Sequence, residues 1–143
     1  MPSSIDCQQL VQVAGDAIVV CDPNGVITLW NPAAEYMFGF SSSEALGQSL
    51  DLIIPERLRA RHWEGYRKTM ETGQTRYGHD VLRVPGLHKD GRAMSISFTV
   101  ALLYSDDKKI TGIASIIRDE TAKFNEDRAL RKRLAELEAK AGV

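Results

Sequence analysis

The spacing of apolar residues changes character several times along the chain, and each change predicts an element. Within residues 4–14, Leu10, Val11 and Val13 stand among polar residues, which predicts a short helix opened by Ser4 or Asp6. Ala17 to Cys21 and Val26 to Trp30 are short β-rich runs on either side of Asp22-Pro23-Asn24-Gly25. Proline presets φ and glycine accepts positive φ, so these runs predict a hairpin. Asn31-Pro32 then opens a helix, because asparagine caps well and proline lacks only an N–H that would be unpaired there. Ala33, Ala34, Tyr36, Met37 and Phe38 are expected to supply its packing and Gly39 its end. Ser41-Ser42-Ser43-Glu44 restarts a helix with capping chemistry, and Gly47 stops it.

The strongest internal helix runs from Pro55 to Glu71, closed by Thr72-Gly73. Leu58, His62, Tyr66 and Met70 recur every four residues and share one face, so His62 points where the apolar residues point. Beyond Gly78 the period becomes two. A strand is expected from about His79 to Val84, and Met94 to Leu102 alternates large apolar with small or polar residues. Leu87 to Gly91 forms the link between them, Asp106-Asp107 a turn, and Ile110 to Ile117 the last strand. Strands and helices segregated in this way predict an α+β fold with an antiparallel sheet. Phe124 to Ala141 is rich in Glu, Lys, Arg, Leu and Ala. Leu130, Leu134, Leu137 and Ala141 keep the 4-3 spacing of a coiled-coil seam; a terminal helix packed on its own domain is the alternative.

Composition narrows the class. The chain has 143 residues, 43% hydrophobic and 26% charged, with a formal net charge of -1, which suits one domain plus an appendage. Lys and Arg are not in excess, so a nucleic-acid partner is not expected. There is no membrane-length apolar run and no signal-peptide pattern, so a cytoplasmic location without direct membrane contact is expected. Cys7 and Cys21 lack metal or dithiol spacing and read as small buried hydrophobes. No phosphate loop, metal-spaced cluster or nucleophile–His–acid pattern points to an enzyme.

The hairpin Asp22-Pro23-Asn24-Gly25, the segment Trp30-Asn31-Pro32-Ala33-Ala34-Glu35, Phe38-Gly39-Phe40-Ser41 with Glu44 and Gly47, Lys89-Asp90-Gly91, and Arg118-Asp119-Glu120-Thr121 together resemble the PAS family of sensory domains over about residues 10 to 123. The resemblance implies a five-stranded antiparallel sheet with helices on one face that encloses a ligand pocket, and a C-terminal signalling helix. The expected organisation is a cap helix over 1–14, the PAS domain over 15–119 and a linker or coiled-coil helix over 120–143. It also implies a homodimer that regulates an effector domain of a longer protein, in two-component or cyclic-dinucleotide signalling.

Fold does not name the ligand. The Asn-Cys-Arg-Phe-type helix of the flavin photoreceptor branch is missing. Ile54-Pro55-Glu56, Arg59, Arg61 and His62 resemble the proximal helix of FixL-type oxygen-sensing kinases, where the histidine at the position of His62 ligates haem iron. That resemblance implies haem b with His62 as the metal ligand, flanked by Leu58 and Tyr66, and a gaseous ligand. A neutral imidazole ligates iron well and leaves the sixth position open. Lys68 and Arg76 stand at propionate-partner positions, Lys68 for an Arg and Arg76 for a His, and Ile96 and Phe98 complete the candidate pocket. Leu82 stands where the type carries a distal Arg, with Arg83 adjacent; a one-residue shift on a strand reverses direction. With Leu82 inward, oxygen discrimination weakens, and carbon monoxide, nitric oxide or redox sensing is open.

Other readings stand beside this one. His62 could be a structural histidine; His79 and His88 are most simply solvated. A haem-free pocket could take a small metabolite or lipid on Ser95, Ser97, Thr99, Trp63 and Tyr66. The module could serve dimerisation alone.

Overall fold

A computed structural model describes residues 4–75 and 80–142. Helix α1 (Cys7–Val13) leads into β1 (Ala17–Cys21) and β2 (Ile27–Trp30). Three short elements follow: α2 (Pro32–Phe38), α3 (Ser42–Ala45) and a 3-10 turn (Leu50–Ile53). The long helix α4 (Glu56–Thr72), strands β3 (Leu82–Leu87), β4 (Ala93–Tyr104) and β5 (Ile110–Asp119), and helix α5 (Thr121–Ala141) complete the order. The strands form one antiparallel sheet in the order β2-β1-β5-β4-β3.

Local chemistry sets the element ends. The Asp6 side chain caps α1 by accepting from Gln9 N–H. Ser41 and Glu44 form a reciprocal capping box on α3. Gly39 and Gly73 end α2 and α4 in the left-handed region. Between β1 and β2 the Asp22 carboxylate accepts from Asn24 and Val26 N–H, and Gly25 takes φ +82°.

Alternation divides the sheet into two faces. Ala17, Val19 and Cys21 point inward with Ile117, Ser115 and Ile113 opposite them, and Phe98 pairs with Ile117. This inner face forms the core with Ile27, Trp30, Ala34, Phe38, Ala45, Ile53, Tyr66, Met94 and Ile96. The other face of β4 carries Ser95 and Ser97, which receive the start of α5. Glu120 N–H donates to the Ser95 carbonyl at 2.8 Å, and Ser95 N–H donates to Thr121 Oγ1 at 3.0 Å. Ser97 Oγ donates to the Glu120 carboxylate at 3.1 Å.

Some expectations need correction. The strand expected from His79 to Val84 runs from Leu82 to Leu87, through Pro85 and Gly86. It is an edge strand, where a proline forfeits no interstrand hydrogen bond. Tyr36 does not pack: α2 leaves it 93% exposed, because Ala34 and Phe38 occupy the inward face. Cys7 is exposed on α1, whereas Cys21 is buried. Burial, followed by the Asp22 charge, pushes the Cys21 thiol up to about 12, so it stays an inert thiol.

Candidate functional site

The site is built on α4. Leu58, His62 and Met70 are half-buried and Tyr66 is buried, whereas Arg57, Arg61, Glu64, Arg67 and Lys68 are exposed. The four-residue stripe therefore faces inward as its period requires.

Two neighbours fix the helix on the β1–β2 turn. Tyr66 Oη donates to the Asp22 carbonyl, and burial pushes its phenol up, with nearby Cys21 and Asp22 adding to the shift. The Trp63 ring occupies the space over Gly25, where an added Cβ would meet it at 2.2 Å. Trp63 Nε1 donates to Asp51 Oδ1 at 2.7 Å, while Arg59 donates to the Ile54 and Asp51 carbonyls.

His62 sits within this aromatic cluster. Its ring centroid lies 4.6 Å from Trp63, edge-on, and 5.8 Å from Tyr66. Its Nδ1 is buried and has no hydrogen-bond partner among the described residues. Burial lowers the His62 pKa from its ordinary value, and the Asp51 carboxylate opposes that shift. The side chain is therefore a neutral imidazole near neutral pH. An orphaned nitrogen in a buried site is unusual, because leaving it unpaired costs about 1–3 kcal/mol.

The remaining candidates fall on different surfaces. Leu82 pairs with Phe98 and Val84 with Ile96, which places these side chains on the inner face. Ile96 is buried, while Leu82 and Phe98 remain half-buried. Arg83 lies on the opposite face and is exposed, so the strand register turns Leu82 rather than Arg83 inward. Lys68 is exposed, with Nζ 3.7 Å from the Glu64 carboxylate. Arg76 and His79 lie outside the described residues.

The sequence-level polar anchors do not assemble. Ser95, Ser97 and Thr99 alternate with Ile96 and Phe98 and face away from the inner side. His88 is not solvated. Its side chain is 15% exposed and seated against Gly39, and Nδ1 accepts from Asp90 N–H at 3.1 Å. The same turn binds the rest of the fold. Lys89 Nζ contacts the Glu44 carboxylate at 2.6 Å, and this bond with the Ser41 N–H holds Glu44 at about 2. Asp51 carries no local signal in the sequence, because nothing nearby marks a carboxylate that meets a ring twelve residues away.

The donor set fits a haem on the α4 side. It offers one buried neutral imidazole with an unpartnered nitrogen, with Leu58 one turn before it on α4, while Leu82, Ile96 and Phe98 line the inner face of the sheet. Among the described residues no group of three or more His, Cys, Asp or Glu could hold a bare metal ion, and no helix is long and apolar enough to cross a membrane.

The PAS fold family matches residues 6–119. The chain is similar to the sensor protein FixL of Bradyrhizobium diazoefficiens, 29% identical over 133 residues, 92% of this chain and 25% of FixL. It is similar to the oxygen sensor protein DosP of Escherichia coli, 29% identical over 90 residues, 63% of this chain and 11% of DosP. It thus spans a quarter or less of these relatives' length. Among solved structures, the PAS domain of a protein from Colwellia psychrerythraea superposes with a TM-score of 0.71 at 26% identity, covering 81% of this chain and 95% of that one.

Proposed function

Because this chain belongs to the PAS family, we propose that it is a sensor module that holds haem b through His62 and passes the state of that site through dimerisation and α5 to an effector domain. The observation that carries this reading is the buried, unpartnered Nδ1 of His62 on the inward stripe of α4. A neutral imidazole that lacks a protein partner is competent to ligate iron. Bound haem supplies an open coordination position for a diatomic gas. The protein's own residues do the rest. Trp63 and Tyr66 fix the ring, and Leu58, Leu82, Ile96 and Phe98 exclude water. Lys68 and Arg76 are the propionate partners, Lys68 after release from Glu64. Leu82 offers a gas no hydrogen bond, which weakens oxygen discrimination and leaves carbon monoxide, nitric oxide or redox sensing open.

The relay reading is supported by β4. Ile96 and Phe98 face the ligand side, while Ser95 and Ser97, one residue along, bind Glu120 and Thr121 at the root of α5. A shift of β4 therefore reaches α5 directly. The resemblance to a FixL-type proximal helix and to an oxygen sensor supports haem over a metabolite.

Native mass spectrometry of freshly purified protein separates the readings. The haem reading predicts a mass increment of one haem per chain. A copurified organic ligand of another mass would support the metabolite or lipid alternative instead.

A further inference from the structure

The geometry points to Asp51 as a positioning residue for His62, acting through the Trp63 ring. This deepens the haem reading above and rests on it. His62 and Trp63 are adjacent on α4, and adjacent helical residues point about 100° apart. Helix geometry alone does not bring their rings together. They nevertheless meet edge-on, with centroids 4.6 Å apart and planes at 77°. The indole is therefore held toward the imidazole by contacts from outside the helix.

Two tethers supply that hold, one at each end of the ring. The benzo edge, Cη2 and Cζ3, lies over Gly25 in the β1–β2 turn, where the missing Cβ leaves it room. At the other end Nε1 donates to Asp51 Oδ1 at 2.7 Å. The first contact is one of shape and has no direction. The second is a hydrogen bond to a charged acceptor, short and directional. Asp51 suits the task because its backbone is itself fixed. Its N–H donates to Ser49 Oγ at 3.1 Å, and its carbonyl accepts from Ile54 N–H at 3.1 Å and from Arg59 Nη2 at 3.3 Å. Arg59 and Trp63, one turn apart on α4, thus bind the same residue of the 3-10 turn. They lock that residue to the turn of α4 that carries His62.

A direct effect of the Asp51 charge on the imidazole is the competing account, since that charge opposes the effect of burial there. The bonding favours the indole route. The carboxylate is bonded to Trp63, whereas Nδ1 of His62 has no hydrogen-bond partner among the described residues. Once the carboxylate is removed, the indole is free to turn away. His62 then keeps Tyr66, at 5.8 Å, as its aromatic neighbour, and one side of the imidazole is no longer held.

Two measurements on the full chain test this. In the ligand-free protein, nuclear Overhauser contacts between the His62 and Trp63 ring protons report the arrangement without haem. They are expected in the wild type and in Asp51→Asn, whose amide oxygen still accepts the indole proton. They are expected to fall several-fold in Asp51→Ala, which keeps the backbone bonds of residue 51. The partly exposed Arg59–Asp51 ion pair at 4.0 Å is lost in both variants, so the Asn variant controls for it. Titration with haemin, followed in the Soret region, gives the affinity of the site. Asp51→Ala is expected to weaken it about tenfold, and Asp51→Asn to recover most of that loss. Added to Trp63→Phe, which has no indole N–H, Asp51→Ala is expected to change nothing further. Ring contacts that persist in Asp51→Ala, an Asn variant that behaves like Ala, or an equal effect of Asp51→Ala with and without Trp63 would each overturn the proposal. A wild type that shows the ring contacts but takes up no haemin would overturn the haem reading instead, and the contacts in the variants would still decide the role of Asp51.

Discussion

At His62 two costs meet in one ring. Nδ1 is buried without a partner, and the ring is held where its charged form is disfavoured. The unfolded chain returns the ring to its ordinary value near 6.5. Above that pH both states are neutral and His62 contributes nothing to the pH dependence. As the pH falls through about 6.5, the unfolded state takes up a proton that the folded state still resists, so stability drops until the lowered folded value is reached. Ligand-free protein should therefore lose more thermal stability between about pH 7 and about pH 5 than His62→Leu does. The leucine variant should also be more stable at neutral pH by about 1 kcal/mol, since it removes the orphaned nitrogen. Parallel curves for the two proteins would show that His62 is neither desolvated nor strained.

Among the elements, Asn31 does more than cap a helix. Its Oδ1 accepts from Ile18 and Ala34 N–H, and its Nδ2 donates to the Val11 and Asp16 carbonyls. One fully buried side chain thus binds α1, β1 and α2 with its whole hydrogen-bonding capacity. Asn31→Ala should lower unfolding free energy by about 3 kcal/mol, read from denaturant melts, because it strands several buried groups. A loss of only a few tenths would mean that water replaces these bonds. The sequence made the capping role legible, since Asn-Pro before an apolar run is a local signal. The clamp on Val11 and Asp16 was not legible, since it depends on segments the turn brings back. The same division recurs along the chain. Ser41 with Glu44 and the alternation of Met94 to Leu102 announced their structures locally. The start of β3 did not, because Pro85-Gly86 argues against a strand until the strand is known to be an edge. The inward direction of His62 followed from its four-residue spacing, whereas its aromatic clamp needed the contact between Gly25 and Trp63.

For the molecule as a whole, the sheet separates two jobs. Its inner face and α4 hold the candidate ligand site, and the outer side of β4 anchors the helix that leaves the domain. The chain is a PAS domain with an outgoing helix, and its relatives carry such domains within longer sensors. The proposed sensing role depends on a bond between His62 and iron. The absorption spectrum of the protein reconstituted with haem, recorded beside that of His62→Ala, tests it most directly. The wild type is expected to show a sharp Soret band at one haem per chain, and the variant to lose it. Equal haem uptake and identical spectra in the two proteins would contradict it.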